Sequence, residues 1–286
     1  MAATSLQPRS FAASSSSSTT SAVLEASAPL VSLRRVPARV YAVANQKGGV
    51  GKTTTAVNVG ACLAEAGERV LLIDLDPQAN ATSGLGMRAN GASTHDLLDG
   101  VPLSALATPS GLPNLDVVMA KSDLATAAVE LSARDGGERY LADALAGGLE
   151  PYSFVFLDCP PSFGPLTVNA LTAASRALVP VQAEYYALEG LSQLLGTINL
   201  VKARLNPELA VAGILLTMAD GRTRLAAEVE AELRRHFGAL VFTTTVPRSV
   251  RLAEAPSHGL PVIAYDRRSA GSEAYWKVAM ELVERS

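Results

Sequence analysis

The residues with the clearest capacity for chemistry form one short run at positions 45–55, with the sequence NQKGGVGKTTT. In a glycine-rich turn the backbone N–H groups can point inward around a phosphate, and the N-terminus of a following helix adds positive potential. Lys52 is placed to reach the β- and γ-phosphates of a nucleotide, and the Thr53 hydroxyl is placed to coordinate Mg²⁺. The run therefore predicts a loop that binds a nucleotide together with magnesium.

This loop departs from the common P-loop pattern G-x-x-x-x-G-K-[ST], because Gln46 stands at the position of the first glycine. It also carries a second lysine, Lys47, near its start. A glycine-rich turn with two solvated lysines is the alternative interpretation. Glycines, lysines and threonines packed between a strand-like and a helix-like segment favour nucleotide binding instead.

The segments around the loop alternate between strand and helix patterns. The apolar run 40–44 precedes the loop, and residues 53–66 follow it with Val57, Ala61 and Ala64 on one helical face. Further strands are predicted at 69–74, 115–119, 152–158, 177–181 and 212–216, and further helices at 122–132, 138–145, 188–205, 223–237 and 272–284. Alternation of this kind is typical of α/β proteins. The predicted fold is therefore a doubly wound, mostly parallel sheet with helices on both faces.

Acidic residues follow two of these strands. Because ligands of open α/β sheets gather at the carboxyl ends of the strands, Asp74, Asp76 and Asp158 are expected to converge on the loop. Asp158 ends an apolar strand, as a Walker B acid does, and would hold Mg²⁺ through water; a carboxylate that caps a helix is the alternative. Asp76 could orient an attacking water or contact the hydration shell of the metal, although an Asp before Pro77 is also typical of a turn.

Composition limits the class of protein. The chain has 286 residues, of which 48% are hydrophobic, enough for one large core. No apolar run is long enough to cross a bilayer, so no transmembrane segment is predicted. Cys62 and Cys159 belong to no C-x-x-C pair, which argues against a disulfide framework and a cysteine-rich metal site. The net charge of −3 does not point to a nucleic-acid partner, so any basic surface must be local.

Residues 1–40 differ in composition from the rest of the chain. They are rich in serine, carry scattered arginines and contain a single acid, Glu25. This is typical of an organelle transit peptide, and a disordered tail is the alternative. We therefore expect a leader at 1–40 and a single nucleotide-binding domain at 41–286. The dominance of serine over arginine favours the chloroplast stroma, with the mitochondrion as the alternative.

Longer blocks of the sequence resemble one family, the ParA/Soj chromosome- and plasmid-partition ATPases within the ParA/MinD group of deviant Walker A proteins. The resemblance extends over residues 41–284. The blocks that carry it are the loop at 45–55, DLDPQANATSGLG at 74–86, LDCPPS at 157–162, PVQAEYYALEGL at 180–191, LLTM at 215–218 and VPRSVRLAEAPSHG at 246–259. It implies a SIMIBI-like P-loop NTPase fold. One departure is Ala79, which stands where the family commonly has glycine.

The resemblance implies an ATPase that hydrolyses ATP to ADP and phosphate with the help of Mg²⁺. It assigns nucleotide contacts to the loop residues Lys47, Gly48, Gly49, Val50, Gly51, Lys52, Thr53 and Thr54, and it places Pro247 near the adenine. Thr53 and Asp158 match the residues that hold Mg²⁺, and Asp76 matches the carboxylate needed for hydrolysis. Lys47 matches the signature lysine, which crosses a homodimer to the partner's phosphates in the manner of an arginine finger. Lys47, Lys52 and Asp76 are thus the predicted catalytic residues.

Arg222 and Arg251 match basic positions through which Soj-type dimers bind DNA without sequence specificity. Binding of this kind needs only local positive charge and weakens with salt. Ordinary solvated arginines are the alternative interpretation. The implied function is a Mg-ATP-dependent, dimerising ATPase switch that binds DNA in its ATP state. It would act in the partitioning of DNA, a nucleoid or other cargo, with a ParB-like or cargo protein as its activator.

Three other functions compete with this one. A MinD-like, membrane-associated ATPase that positions a division site needs a C-terminal amphipathic helix with a basic face, whereas residues 272–286 have little net positive charge. An iron–sulfur protein with the same loop needs cysteine ligands. A non-catalytic scaffold would lack the hydrolytic carboxylate that Asp76 supplies. The MinD-like function is the alternative that we retain.

Overall fold

A computed structural model of the chain describes residues 37–184, 187–220 and 223–285. The predicted leader lies almost entirely outside the described residues, and so does the predicted DNA-binding residue Arg222. The side chains of Ala187 and Leu225 are likewise not described.

A single sheet of seven strands forms the centre of the described chain, in the order β3-β4-β2-β5-β1-β6-β7. The strands are β1 Arg39–Val43, β2 Val70–Asp74, β3 Thr108–Pro109, β4 Leu115–Val118, β5 Phe154–Asp158, β6 Arg176–Gln182 and β7 Ala210–Thr217. Every neighbouring pair is parallel except β3 and β4, which are antiparallel. The predicted doubly wound, mostly parallel sheet is confirmed.

The helices of the described chain connect these strands. They are α1 Lys52–Glu65, α2 Asn80–Gly84, α3 Thr94–Leu98, α4 Leu103–Leu106, α5 Leu124–Ala133, α6 Tyr140–Leu145, α7 Pro165–Ala173, α8 Ala187–Arg204, α9 Arg224–Phe237, α10 Val250–Glu254, α11 Val262–Tyr265 and α12 Ala270–Glu284, with short 3₁₀ turns at Gly238–Leu240 and Ala255–His258. Within the described ranges, none of these helices is both long and apolar enough to cross a membrane.

The core consists of two layers because successive side chains of a strand point to opposite faces of the sheet. In β1, Val40 and Ala42 belong to one apolar cluster, and Tyr41 and Val43 belong to the other. Helices α3 to α8 cover the first cluster, while α1, α11 and α12 cover the second. Both faces are therefore buried, as a parallel sheet requires.

The carboxyl ends of the central strands lie along one edge of the sheet. β1 ends at Val43, which is in register with Asp158 at the end of β5, and Asp158 is in register with Asp74 at the end of β2. The glycine-rich loop follows β1 directly. After β1 the chain passes to β2, which lies beyond β5 on one side of β1, whereas β6 pairs with β1 on the other side. The loop therefore lies where the strand order reverses, which is where open α/β sheets bind ligands.

Candidate functional site

The glycine-rich loop has a backbone that suits an anion. Gly49 and Gly51 have φ angles of 73° and 85°, in the left-handed region where a side chain costs free energy. Gly51 is the N-cap of α1 and, having no side chain, does not cap the first turn of that helix. The first turn also contains no acidic residue. Its N–H groups are therefore left to bind an anion, with the helix dipole in support.

Lys52 occupies the buried side of this loop. Only 7% of the residue is exposed, and its Nζ donates a hydrogen bond to the Lys47 carbonyl oxygen at 3.1 Å. Burial lowers the pKa of Lys52, whereas the negative charges of Asp158 and Asp76 raise it. The structure thus brings Lys52, Asp76 and Asp158 within electrostatic range of one another, as the sequence predicts.

Asp158 is a buried carboxylate whose charge is not balanced by hydrogen bonds. Its residue is fully buried, and neither Oδ1 nor Oδ2 accepts a hydrogen bond of standard geometry from the described residues. Burial raises the pKa of Asp158 well above its usual range, and Asp74 adds to this, while Thr53 and Lys52 lower it. An unpaired buried carboxylate is costly. A carboxylate beside a threonine hydroxyl is a donor set that Mg²⁺ prefers, so Thr53 and Asp158 fit this cation.

Asp76 lies just beyond the end of β2, in the segment that leads to α2. It is 6% exposed, and its Oδ1 accepts a hydrogen bond from the Gln78 N–H at 2.9 Å. Its own N–H donates to Asp74 Oδ1 at 3.1 Å. The turn that Pro77 predicts is therefore present, and it holds the carboxylate at the same edge of the sheet as Lys52.

Lys47 lies on the outer side of the loop, in contrast to Lys52. Its side chain is 51% exposed and forms an ion pair with Glu184, whose side chain is 45% exposed. The loop backbone at this point is held by Asn45, whose Oδ1 accepts from the Lys47 N–H at 3.0 Å and whose Nδ2 donates to the Pro180 carbonyl at 2.8 Å. The two lysines of the loop thus face different surroundings.

A cavity of about 200 Å³ opens beside the loop. Gly51 and Thr54 line it from the loop side, and Met218, Pro247 and Tyr275 line it from the C-terminal part of the chain. Its walls offer more apolar than polar surface, as the base of a nucleotide requires. Pro247, which the family resemblance places near the adenine, is thus one of the residues that line this cavity. Larger cavities lie elsewhere in the described chain, one at the amino ends of the strands, one beside α6 and one at the start of α12.

Of the two arginines predicted to bind DNA, the structure describes Arg251. Arg251 lies on α10 with a side chain 52% exposed, and it pairs with Glu254 at 2.9 Å and with Asp266 at 3.3 Å. Arg222 lies outside the described residues. Arg224 pairs with Glu228 at 2.8 Å. The positive charge of Arg251 is therefore already balanced by two carboxylates.

Sequence reasoning missed several residues that build the site. Thr217 Oγ1, at the end of β7, donates to the carbonyl of Val50 in the loop at 2.8 Å. Asn58 of α1 donates to the Thr54 carbonyl at 2.8 Å and accepts from the Val262 N–H at 2.7 Å. Both residues join segments distant in sequence, so no local pattern indicates their partners. Thr217 does fall within one of the blocks that carry the family resemblance.

The two cysteines are free thiols buried in the core. Burial raises the pKa of Cys62 to about 12 and raises that of Cys159 even further. Neither thiol is therefore activated as a nucleophile at neutral pH.

A phosphate-binding loop between β1 and α1, strand-end carboxylates and a parallel sheet together define a P-loop nucleotide hydrolase. Residues 38–211 match the sequence family described as "AAA domain". The chain is 50% identical over 247 residues to the sporulation initiation inhibitor protein Soj of Bacillus subtilis, covering 85% of this chain and 98% of that one. It is 54% identical over 251 residues to the chromosome-partitioning ATPase Soj of Thermus thermophilus, covering 88% and 98%. The chain therefore belongs to the ParA/Soj family of partition ATPases.

Solved structures share this fold. The chain resembles the cobyrinic acid a,c-diamide synthase from Mycobacterium smegmatis with bound ADP and magnesium, with a TM-score of 0.76 and 38% identity over 86% of this chain and 94% of that one. The cell division ATPase MinD of Pyrococcus furiosus has a TM-score of 0.72 at 24% identity, with 87% and 99% covered. At that identity the likeness to MinD concerns the fold alone.

Proposed function

We propose that the chain is an ATP-dependent switch that dimerises when it binds Mg-ATP, binds DNA without sequence specificity in that state and reopens on hydrolysis. The observation that carries the proposal is the contrast between the two loop lysines. Lys52 is buried beside the carboxylates, whereas the Lys47 side chain is half exposed and pairs with the similarly exposed Glu184. An exposed lysine at the phosphate loop can reach a nucleotide bound by a second protomer.

The residues of one protomer have separate tasks in this proposal. The loop N–H groups and Lys52 bind the phosphates, while the cavity beside Pro247 accepts the adenine. Thr53 and Asp158 would hold Mg²⁺, which neutralises phosphate charge when it is bound. Asp76 orients the attacking water, because it is a buried strand-end carboxylate that is not assigned to the metal and, unlike Asp74, does not accept hydrogen bonds on both oxygens from the described residues. Lys47 of the partner protomer adds positive charge at the reacting phosphate.

DNA binding by Arg251 has to compete with the ion pairs that the structure shows. A phosphate can replace Glu254 and Asp266 around the guanidinium, since both pairs are exposed and exposed pairs are weak. Arg222 is proposed to add to the same binding. Contacts of this kind release counterions, so the affinity falls steeply with salt.

The proposal for the cell rests on residues 1–40, which we propose to be a transit peptide for the chloroplast, or alternatively for the mitochondrion. Residues 41–286 would then form the mature ATPase domain. The proposed task is the partitioning of DNA, a nucleoid or another cargo, with a ParB-like or cargo protein as activator. A MinD-like membrane role is less well supported, because Tyr275, Val278 and Leu282 of α12 pack into the core.

The test is DNA binding by the full-length protein with ATP, ADP or no nucleotide at two salt concentrations, measured by fluorescence anisotropy. We expect binding only with ATP, at least tenfold weaker at the higher salt. Arg251→Ala should abolish most of it, while Asp76→Ala should prolong the ATP-bound state and its DNA binding.

Arg69→Ala is the matched control, because Arg69 is 46% exposed and pairs with Asp116 at the opposite edge of the sheet. Dimerisation with ATP but without DNA binding would refute the DNA part of the proposal. Anionic vesicles in a parallel assay would then test the MinD-like alternative.

A further inference from the structure

Asp74 ends β2 at the same edge of the sheet as Asp158, but its carboxylate has a different environment. It is fully buried, and both of its oxygens accept hydrogen bonds. Oδ1 accepts from the Asp76 N–H at 3.1 Å, and Oδ2 accepts from the N–H and the hydroxyl of Thr82 at 2.9 and 2.7 Å. Neither oxygen of Asp158, by contrast, accepts a hydrogen bond of standard geometry from the described residues. The hydrogen-bonding capacity of the Asp74 carboxylate is therefore taken up within the protein, whereas the Asp158 carboxylate is available to bind a cation.

Thr82 connects this carboxylate to a third strand. The residue is 2% exposed and lies in α2, the short helix that follows the Asp76 turn. Its Oγ1 donates to Asp74 and accepts from the Ala120 N–H at 3.0 Å, just beyond the end of β4. One hydroxyl thus ties α2 to the ends of β2 and β4, and both of its hydrogen bonds are buried.

The segment between these two anchors carries Asp76. At its start the Asp76 N–H is held by Asp74, and at its end Thr82 is held by the same carboxylate. Within the segment, Ala79 adopts a left-handed φ of 53°, a conformation that costs free energy for alanine. Such a conformation persists only where its surroundings over-determine it. The Asp74 carboxylate supplies that constraint from both ends.

We propose that Asp74 and Thr82 are positioning residues for ATP hydrolysis: together they clamp residues 76–82 so that the Asp76 carboxylate faces the phosphate site. The inference rests on the role proposed for Asp76. The side-chain hydrogen bonds of Asp74 and Thr82 go to each other and to the Asp76 and Ala120 N–H groups, so their proposed effect on hydrolysis passes through Asp76. Loss of the clamp should therefore slow hydrolysis and leave ATP binding in place.

The test compares Thr82→Val with Thr82→Ser in the full-length protein, by steady-state ATP hydrolysis. Valine keeps the shape of threonine but has no hydroxyl, whereas serine keeps the hydroxyl. We expect Thr82→Val to lower kcat roughly tenfold to a hundredfold, as a misplaced catalytic group does, with KM for ATP within about twofold. Thr82→Ser should restore most of the parental kcat.

Thr172→Val is the matched control for a general loss of stability. Thr172 is also buried, at 6% exposed, and its hydroxyl donates to the Val168 carbonyl within α7, near the C-terminal end of that helix. It should lower the melting temperature without changing kcat. If Thr82→Val does not fold, Thr82→Cys replaces it, since a thiol is a weaker donor than a hydroxyl.

The outcomes separate the inference from the role proposed for Asp76. If Thr82→Val has the kcat of the parent, the inference is overturned. The role of Asp76 is then still tested separately by Asp76→Ala. A raised KM with unchanged kcat also overturns it, because the clamp would then serve binding. If Asp76→Ala itself hydrolyses ATP like the parent, both proposals fail. In the Asp76→Ala background, the inference expects Thr82→Val to have no further effect on kcat.

Discussion

Replacement of Gly259 by alanine should destabilise the protein through a contact between two backbones. Gly259 has a φ of 67°, and a Cβ built on it would lie 2.7 Å from Gly86 Cα and 3.0 Å from Gly86 N. Backbone atoms cannot turn aside as a flexible side chain can, so the two segments must separate. Such overpacking costs about 1–3 kcal/mol, and the left-handed backbone adds about 1–2 kcal/mol for a residue with a Cβ. The free energy of unfolding should therefore fall by about 2–5 kcal/mol.

Urea unfolding followed by circular dichroism measures this loss, and two other glycines separate its causes. Gly67 has a φ of 100° with no atom within 4 Å of its Cβ position, so Gly67→Ala reports backbone strain alone. Gly91 has open space and no left-handed φ, so Gly91→Ala should change stability by less than about 0.5 kcal/mol. If Gly259→Ala costs no more than Gly67→Ala, the backbone contact relaxes freely and the reasoning is wrong.

Two further predictions concern single residues. Ala79→Gly should stabilise the protein by about 0.5–1 kcal/mol in the same urea assay, because relief of the left-handed strain exceeds the added chain entropy; a loss of stability would contradict this. Cys62 keeps its proton to about pH 12 when folded, whereas an unfolded thiol loses it near pH 9. Above pH 9 the free energy of unfolding should therefore fall with pH more steeply than in Cys62→Ala, by about 1.4 kcal/mol per pH unit. Equal pH slopes of the free energy of unfolding in the two proteins would refute this.

The sequence predicts the long elements of the fold well, because their periodicity extends over many residues. The helix expected at 188–205 is observed as Ala187–Arg204, and the strand expected at 115–119 as Leu115–Val118. Short elements outside the repeating strand–helix pattern, such as β3 Thr108–Pro109 and the five-residue helix α10 Val250–Glu254, were not predicted. They are too short to show a period of 2 or 3.6. Their positions depend on packing against distant parts of the chain.

The features of the site also fall into those that the sequence predicts and those that it does not. That Lys52, Asp76 and Asp158 meet follows from their places at strand ends, a rule that needs only the order of elements. The different environments of Asp74 and Asp158 do not follow from sequence, since both end apolar strands. They depend on Thr82, which reaches Asp74 from α2, and on the absence of such a donor at Asp158 among the described residues. The ion pair between Lys47 and Glu184 could not be predicted from the sequence either, because 137 positions separate the two residues.

The contact between α1 and α12 constrains the order in which the protein can fold during synthesis. Tyr275 is buried against α1, and its hydroxyl lies 3.2 Å from Thr55 Oγ1, although 220 positions separate them. The helix that carries the phosphate loop is synthesised long before α12, which covers part of its apolar face. Until α12 emerges, that face stays exposed to solvent and to other chains, the condition in which unfinished proteins aggregate. A nascent chain of this protein therefore depends on protection of α1 until α12 has been synthesised.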